Sequence, residues 1–264
     1  MQGEQLTIEQ AITNLGSDDT GLRFYAAWWL GRFRINTPEA VTGLIAALAD
    51  EDDRTEAGGY PLRRNASRAL GKLGDRRAVA PLIECLHCTD YYVREAAAQS
   101  LEMLGDLSCV PTLLERLRIP ESVNLPAGQP LTEPYDAILE ALGTLGAQEA
   151  ISDVQRFVNH PMQRVQCSAW RAMYQLTGDA AYGDKLINGL SHKDLQLRRT
   201  VLGDLGAIGY LAAAQPIAKT LAENSLKLIA LKGLLEKQVQ NTDGAANYLS
   251  AGAREVMAVM DDLL

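Results

Sequence analysis

A short segment combines acids, arginines and a pair of glycines: EDDRTEAGGYPLRRN, residues 51–65. Carboxylates such as Asp52 and Asp53 can transfer protons to a bound molecule. The guanidinium groups of Arg63 and Arg64 can bind carboxylates through two parallel hydrogen bonds. These residue types side by side indicate a site for an acidic ligand that undergoes proton transfer. The alternative is that the acids and arginines neutralise each other on the surface and have no further role.

Aromatic side chains stand at comparable places in the chain. Trp28 lies in YAAWWLGRF, and Tyr60 precedes a proline, which favours an extended backbone and an exposed ring. Tyr91 and Tyr92 begin the segment YYVREA, which also contains Arg94. The ordinary interpretation is that Trp28 packs on a neighbouring helix and that the tyrosines are half-buried at a helix start. If successive repeats stack in register, these residues instead form a row that suits a flat, conjugated dicarboxylate.

Signatures of other chemistry are absent from the sequence. It contains no GxSxG motif and no phosphate-binding P-loop, and the GxxGxxG spacing in 203–209 does not match a dinucleotide fingerprint. Cys85, His87 and Cys88 supply only three potential metal ligands, and no second half of a zinc motif follows. We therefore predict no metal site and no permanently bound cofactor.

The charge balance limits the possible partners. The 264 residues include 25 lysines and arginines against 33 aspartates and glutamates, for a formal net charge of −8. Nucleic-acid binding needs a basic surface, so we predict no nucleic-acid partner. The first residues, MQGEQLTIEQ, lack the apolar core of a secretory signal, and no apolar run approaches the roughly 18 residues of a membrane helix. We expect a cytoplasmic chain without membrane insertion, whose cysteines are reduced.

A helical pattern repeats along the chain. Most copies have an aliphatic residue, then a basic or polar residue, then small residues and Leu-Gly, as in LRRNASRALGKLG from Leu62. The period is roughly 30 residues, with two insertions of about ten residues, one that includes EDDRTEAGGYPLRRN and one at 119–134. The equivalent positions in the copies are Arg23, Arg63, Arg94, Tyr135, Gln166, Arg198 and Lys227.

A second amphipathic helix pattern follows most copies, as in PEAVTGLIAAL at 38–48. Helix pairs at this period form an α-solenoid, because one pair cannot bury its apolar face alone. We predict an all-α fold with one repeat domain over 1–264, curved as a right-handed superhelix, in which Gly74 and Gly105 end helices with positive φ. The repeats start near residues 20, 60, 91, 132, 162, 194 and 224, and a terminal cap helix covers about 244–264.

Three segments carry a resemblance to a known family. They are LRFYAAWWLGRFR at 22–34, ALADEDDRTEAGGYPLRRNASRALGKLGDRRAV at 47–79 and DYYVREAAAQSLEMLGD at 90–106. The sequence resembles the bilin lyases of the E/F type, whose subunits are built from HEAT-like repeats. Within that family it is most similar to the E subunits of the heterodimeric phycocyanin lyases of cyanobacteria. The DEDDRTE-x-GGYPLRRN block and YAAWWLGRF are the specific part of the resemblance.

The resemblance implies a function in bilin attachment. Together with a homologous F-type subunit, an E subunit attaches its substrate phycocyanobilin through a thioether to a cysteine of the apo-phycocyanin α subunit. Some members also catalyse the reverse or a transfer reaction, and the family is associated with phycobilisome assembly. The reaction needs proton delivery to the tetrapyrrole, and, since no family motif fixes this role, we assign it to the carboxylates Asp52 and Asp53 as a hypothesis. We assign bilin binding to Trp28, Tyr60, Arg63, Arg64, Tyr91, Tyr92 and Arg94.

Two alternatives stay open from the sequence. The first is a HEAT-repeat scaffold without chemistry, which acts as a chaperone in phycobiliprotein or phycobilisome assembly; the missing catalytic motifs favour it. The second stays within the family, with the chain as the E subunit of a phycoerythrocyanin or phycoerythrin lyase. The colour and covalency of the product separate all three.

Overall fold

The structure, a computed structural model, describes residues 6–119, 131–241 and 250–264. These residues form α-helices, short 3-10 helices and loops, with no strand in any of the three ranges. The prediction of an all-α chain of helix-pair repeats is therefore confirmed. The chain divides into two compact units, Met1–Ala147 and Gln148–Leu264. The single-domain boundary and the superhelix stay predictions.

Unit 1 contains the first four copies of the repeat. Its α-helices, among the described residues, are α1 (Ile8–Asn14), α2 (Thr20–Arg32), α3 (Pro38–Ala47), α4 (Pro61–Leu73), α5 (Val79–Cys85), α6 (Tyr91–Leu104), α7 (Val110–Leu117) and α8 (Tyr135–Thr144). The first helices of the copies are thus α2, α4, α6 and α8. They begin within three residues of the repeat starts that the sequence predicts.

Unit 2 continues the alternation of first and second helices. Its described α-helices are α9 (Ile151–Val154), α10 (Gln163–Thr177), α11 (Ala180–Gly189), α12 (Leu195–Ile208), α13 (Ala214–Lys219), α14 (Asn224–Asn241) and α15 (Ala251–Asp261). Helix α15 is the described part of the predicted terminal cap, whose residues 244–249 lie outside the described residues. Most of the second predicted insertion, 120–130, lies outside them as well.

Short polar side chains and glycines determine where the first helices begin and end. Asp19 and Asp90 cap α2 and α6 by accepting hydrogen bonds from backbone N–H groups of the first turn. Gly74 ends α4 with a φ of 73°, and Gly105 ends α6 with a φ of 68°. Both glycines therefore have the left-handed conformation that the sequence predicts for helix ends.

Small residues let the first helices of unit 1 approach closely. A Cβ atom on Gly31 of α2 would lie only 2.8 Å from the Cα atom of Ala69 in α4. In the same way, a Cβ atom on Gly71 of α4 would lie 2.8 Å from the Cα atom of Ser100 in α6. The hydroxyl of Ser100 also donates to the Ser67 carbonyl oxygen at 2.8 Å. This packing brings α2, α4 and α6 side by side and in the same direction.

Candidate functional site

The acidic segment begins with a turn that an arginine of α2 stabilises. The carboxylate of Asp50 accepts hydrogen bonds from the backbone N–H groups of Asp52 at 3.0 Å and Asp53 at 3.2 Å. Arg23 of α2 pairs with the same carboxylate through both terminal nitrogens, at 2.5 and 3.2 Å. Both partners of this ion pair are mostly buried. The first turn of the insertion is therefore an ordered part of unit 1.

The two candidate proton-transfer residues differ sharply in environment. The side chain of Asp52 is 82% exposed and has only a long contact with Arg23, at 3.5 Å. Asp53 accepts a hydrogen bond from the backbone N–H of Leu62 at 2.6 Å through Oδ2. Its Oδ1 is buried and has no hydrogen-bond partner among the described residues. Burial raises the pKa of Asp53, which the Leu62 hydrogen bond opposes.

Arg63 is occupied by the turn itself. Its Nε donates to the carbonyl oxygen of Asp50 at 2.6 Å, and Nη2 donates to that of Ala49 at 3.4 Å. Nη2 also pairs with Glu51, and this hydrogen bond holds the pKa of Glu51 below its ordinary value. The side chain of Arg63 is only 13% exposed. Arg63 therefore stabilises the acidic turn, and its guanidinium does not point into an open ligand site.

Tyr60 lies under the arginines of the segment. The guanidinium carbon of Arg63 is 4.1 Å from the centre of the Tyr60 ring, and that of Arg54 is 5.6 Å away. The Tyr60 backbone N–H donates to Asp90 at 2.7 Å. The residue is only 6% exposed, so the expectation that the following proline exposes the ring is wrong. Two guanidinium groups therefore lie close to an aromatic ring that is almost fully buried.

A cavity of about 400 Å³ opens between the loop that precedes α4 and the start of α6. The guanidinium of Arg64 lies 5.7 Å from the centre of the half-exposed Tyr92 ring. The rings of Tyr91 and Tyr92 meet edge to face with centres 5.4 Å apart. The cavity lining consists of Thr55, Ala57, Gly58, Gly59, Tyr60, Pro61, Arg64, Thr89, Asp90, Tyr91 and Tyr92.

The structure thus brings four of the predicted bilin-binding residues together and leaves three elsewhere. Tyr60, Arg64, Tyr91 and Tyr92 line the cavity. Arg63 holds the acidic turn, and the two remaining residues are Trp28 and Arg94.

Arg94 is a buried residue of the interior. It is 7% exposed and donates to the carbonyl oxygens of Cys88, Thr89 and Thr132 at 2.6 to 3.0 Å. Its Nε pairs with the buried Glu133 at 3.2 Å. These partners engage all three guanidinium nitrogens of Arg94, and the residue does not line the cavity.

Trp28 lies on an exposed aromatic face of α2. It is 45% exposed and stacks on Tyr25, with ring centres 5.5 Å apart. About half of the Trp28 side chain is therefore accessible, and both of its expected roles, packing on a neighbouring helix and bilin binding, stay predictions. Phe24 of α2 and Phe33, the residue that follows the last turn of α2, are also exposed; the sequence analysis did not single out Phe24. A hydrophobic-period count on α2 would have shown more aromatic residues than one buried face can hold.

Neither a metal site nor a membrane segment appears within the described ranges. No group of three or more potential ligand side chains there could hold a metal ion. No helix among the same residues is long and apolar enough to cross a bilayer. The four cysteines are free thiols.

Comparisons with known proteins agree on one family. The family model "HEAT repeats" matches residues 8–102 and 58–124. A "Phycocyanobilin lyase subunit alpha" of Pseudanabaena tenuis (strain PCC 7409) is 64% identical and spans 98% of this chain and 96% of that protein. The "Bilin biosynthesis protein PecE" of Nostoc sp. is 39% identical over 98% of this chain and 96% of its own length.

A solved structure is similar over the whole chain. It is the complex of CpcE and CpcF of phycocyanin lyase from Nostoc sp. PCC7120. The match has a TM-score of 0.91 and 58% sequence identity, and covers 100% of this chain and 97% of the other. Fold and sequence therefore point to the same relatives.

Proposed function

This chain belongs to the family of phycocyanobilin lyase alpha subunits, and on that premise we propose that it acts as one subunit of a bilin lyase. Together with an F-type subunit, it attaches phycocyanobilin through a thioether to a cysteine of the phycocyanin α subunit. The observation that carries this proposal is the 64% identity with a lyase alpha subunit over nearly the full length of both chains. Reverse or transfer reactions, and a place in phycobilisome assembly in the cytoplasm, belong to the same proposal.

The reaction needs no nucleophile from this chain. The thiol of the acceptor cysteine adds across the ethylidene double bond of ring A: a C–S bond forms, the double bond is consumed and a proton reaches the tetrapyrrole. Burial raises the pKa of Cys85 and Cys109 to about 11 and that of Cys167 to about 12. These three thiols are poorly suited to attack a bilin, which supports an acceptor that supplies its own.

Proton delivery is the step for which the acidic turn is suited. Asp53 has a raised pKa and a buried oxygen without a partner among the described residues, so part of its population keeps a proton at higher pH than an exposed aspartate does. Asp52 is exposed and serves at most as a second group. We therefore rank Asp53 first as the proton donor, and the rest of the work is positioning of bilin and thiol.

Reconstitution tests the proposal. The chain is produced with an F-type subunit, the apo-α subunit of phycocyanin and phycocyanobilin. The product is then denatured and separated by size, and colour that stays with the α subunit shows a covalent bond. Matched reactions omit either this chain or the F-type subunit. Colour that is lost on denaturation in the complete reaction would favour the non-catalytic scaffold instead.

The choice among E subunits follows from relatedness. The chain is 64% identical to a phycocyanobilin lyase subunit and 39% identical to the PecE protein. This difference supports phycocyanin as the acceptor over phycoerythrocyanin. The absorbance of the denatured adduct checks the assignment, because an isomerised bilin absorbs at a different wavelength from attached phycocyanobilin.

A further inference from the structure

One position of the repeat has the same structural task in six copies. Its side chain donates a hydrogen bond to a backbone carbonyl within four residues of the end of the preceding α-helix, where carbonyl groups lack a partner in the helix. The pairs are Arg63 with Asp50, Arg94 with Cys88, Tyr135 with Ile119, Gln166 with Val158, Arg198 with His192 and Lys227 with Ala218, at 2.6 to 3.1 Å. Arg23 at the same position of the first copy pairs with the Asp50 carboxylate.

This shared task separates the arginines of the candidate site. Arg63 and Arg94 are the local versions of a side chain that the fold needs in nearly every repeat. Arg64 is the next residue along α4, and helix geometry points its side chain about 100° away. The guanidinium of Arg64 therefore does not bind the backbone carbonyls at the end of the preceding helix.

The guanidinium of Arg64 has no ion pair or hydrogen bond with any described residue. Its Nε is buried and has no hydrogen-bond partner among the described residues, and its guanidinium carbon lies 5.7 Å from the centre of the Tyr92 ring. A buried donor without a partner destabilises a fold, the more so when it is charged. A guanidinium beside an aromatic ring and without another partner can bind a planar acceptor such as a carboxylate through two parallel hydrogen bonds.

The other charged side chain of the cavity lining does not pair with Arg64. Asp90 is the other charged residue of its lining. The Asp90 oxygens each accept a backbone N–H, from Tyr60 at 2.7 Å and from Tyr92 at 2.8 Å. Those two bonds satisfy Asp90 and hold it at the start of α6. The guanidinium of Arg64, in contrast, has no ion pair or hydrogen bond with a described residue, so a carboxylate from outside the chain can bind it.

We propose that this cavity is a carboxylate subsite, in which Arg64 binds one propionate of the open-chain tetrapyrrole and the Tyr92 ring supports both. The assignment rests on the proposed function, since that function supplies the bilin. At about 400 Å³ the cavity lies at the small end of the ~300–1,000 Å³ range of ligand pockets. It suits one acidic arm of an extended ligand, while the rest of the bilin lies outside it.

Equilibrium binding of two bilins tests the subsite. The complex of this chain with its F-type subunit is titrated, without acceptor, with phycocyanobilin and with its dimethyl ester, and binding is followed by bilin absorbance. We expect the intact complex to bind the free acid about 10- to 100-fold more tightly than the ester. Arg64→Gln should bind both forms with the weak affinity of the ester. Arg64→Lys should restore part of the preference, since lysine keeps the charge without the fork.

Matched controls separate this subsite from the function and from folding. Arg76→Gln removes an exposed arginine near the other end of α4 and should keep the full preference for the acid. A preference that persists in Arg64→Gln, or an intact complex that binds acid and ester equally, overturns the subsite and leaves the lyase function standing. An intact complex that binds neither bilin overturns both. If Arg64→Gln does not fold, the ester comparison on the intact complex and on Arg64→Lys decides.

Discussion

The carboxylate of Asp53 accepts the backbone N–H of Leu62 at 2.6 Å, across a loop of eight intervening residues. This hydrogen bond ties the acidic turn to the first turn of α4, where backbone N–H groups have no partner in the helix. One oxygen of Asp53 thus serves the fold, while the other is buried without a hydrogen-bond partner in the described part of the chain. The same residue is therefore both a structural acceptor and the best candidate for proton transfer.

We predict that Asp53→Asn lowers the rate of bilin attachment about 100-fold or more, the usual scale of general acid catalysis. Asparagine keeps an oxygen for the Leu62 N–H but cannot give up a proton at this pH, so bilin affinity should change little. The measurement is the single-turnover rate of thioether formation beside the equilibrium affinity for phycocyanobilin. Asp52→Asn is the matched control and should retain most of the rate. Equal losses in both variants would contradict the assignment.

A second prediction concerns the effect of pH on stability through Asp53. Burial raises the pKa of Asp53 above its ordinary value of 3.8, so the folded chain binds this proton more tightly than the unfolded chain. Between these two pKa values the folded state carries more protons, and the contribution of Asp53 to the free energy of unfolding falls as pH rises. Urea denaturation from about pH 4 to 7 should therefore show a less negative slope in Asp53→Asn than in the parent. An unchanged slope would show that Asp53 titrates normally.

Arg63→Ala should loosen the acidic turn instead of acting on bilin alone. The substitution removes hydrogen bonds to the carbonyls of Ala49 and Asp50 and the contact with the Tyr60 ring. We expect a loss of about 1.5 to 3 kcal/mol in the free energy of unfolding, the scale of hydrogen bonds to charged groups. Hydrogen exchange at residues 50–62 should accelerate. Arg64→Ala, measured in the same way, should leave the exchange near the parent and should not lower the free energy of unfolding, because Arg64 holds no described backbone group and its buried Nε has no hydrogen-bond partner among the described residues.

How far the sequence predicts this molecule depends on the level of structure. The repeated Leu-Gly pattern predicts helix ends well, because glycine takes the left-handed conformation there at low cost, as Gly74 and Gly105 do. The repeat starts also follow, since the apolar period restarts in each copy. Several residues of the 51–65 block line the cavity beside α6, and their role in bilin binding stays a prediction.

The sequence did not show that Arg63 and Arg64 have different contacts. Arg63 and Arg64 are adjacent and chemically identical, and only the direction of each side chain decides which meets the preceding helix. A signal was nevertheless available: Arg63 and Arg94 occupy the position that recurs in the other copies, and a recurrent position is more often structural. The exposure of Trp28 depends on which face of α2 the neighbouring helices cover, and this is a property of packing.

The last prediction concerns the close contact between α4 and α6, which places the loop and Tyr92 at the two sides of the cavity. A Cβ atom added to Gly71 would lie 2.8 Å from the Cα and 2.7 Å from the Cβ of Ser100, so the helices must separate. We expect Gly71→Ala to lower the free energy of unfolding by about 1 to 3 kcal/mol, the cost of overpacking. It should also weaken bilin binding, because the two walls move apart.

Gly203→Ala in α12 provides the matched control, since a Cβ atom there meets nothing within 4 Å. It should raise the free energy of unfolding by roughly 0.5 to 1 kcal/mol through helix propensity alone. Urea denaturation of both variants measures the difference, and bilin titration of the complex reports on the cavity. If Gly71→Ala were as stable as Gly203→Ala, the approach of α4 and α6 would not be limited by this glycine. Opposite signs in the two variants would instead establish that helix separation, rather than helix propensity, governs this part of the fold.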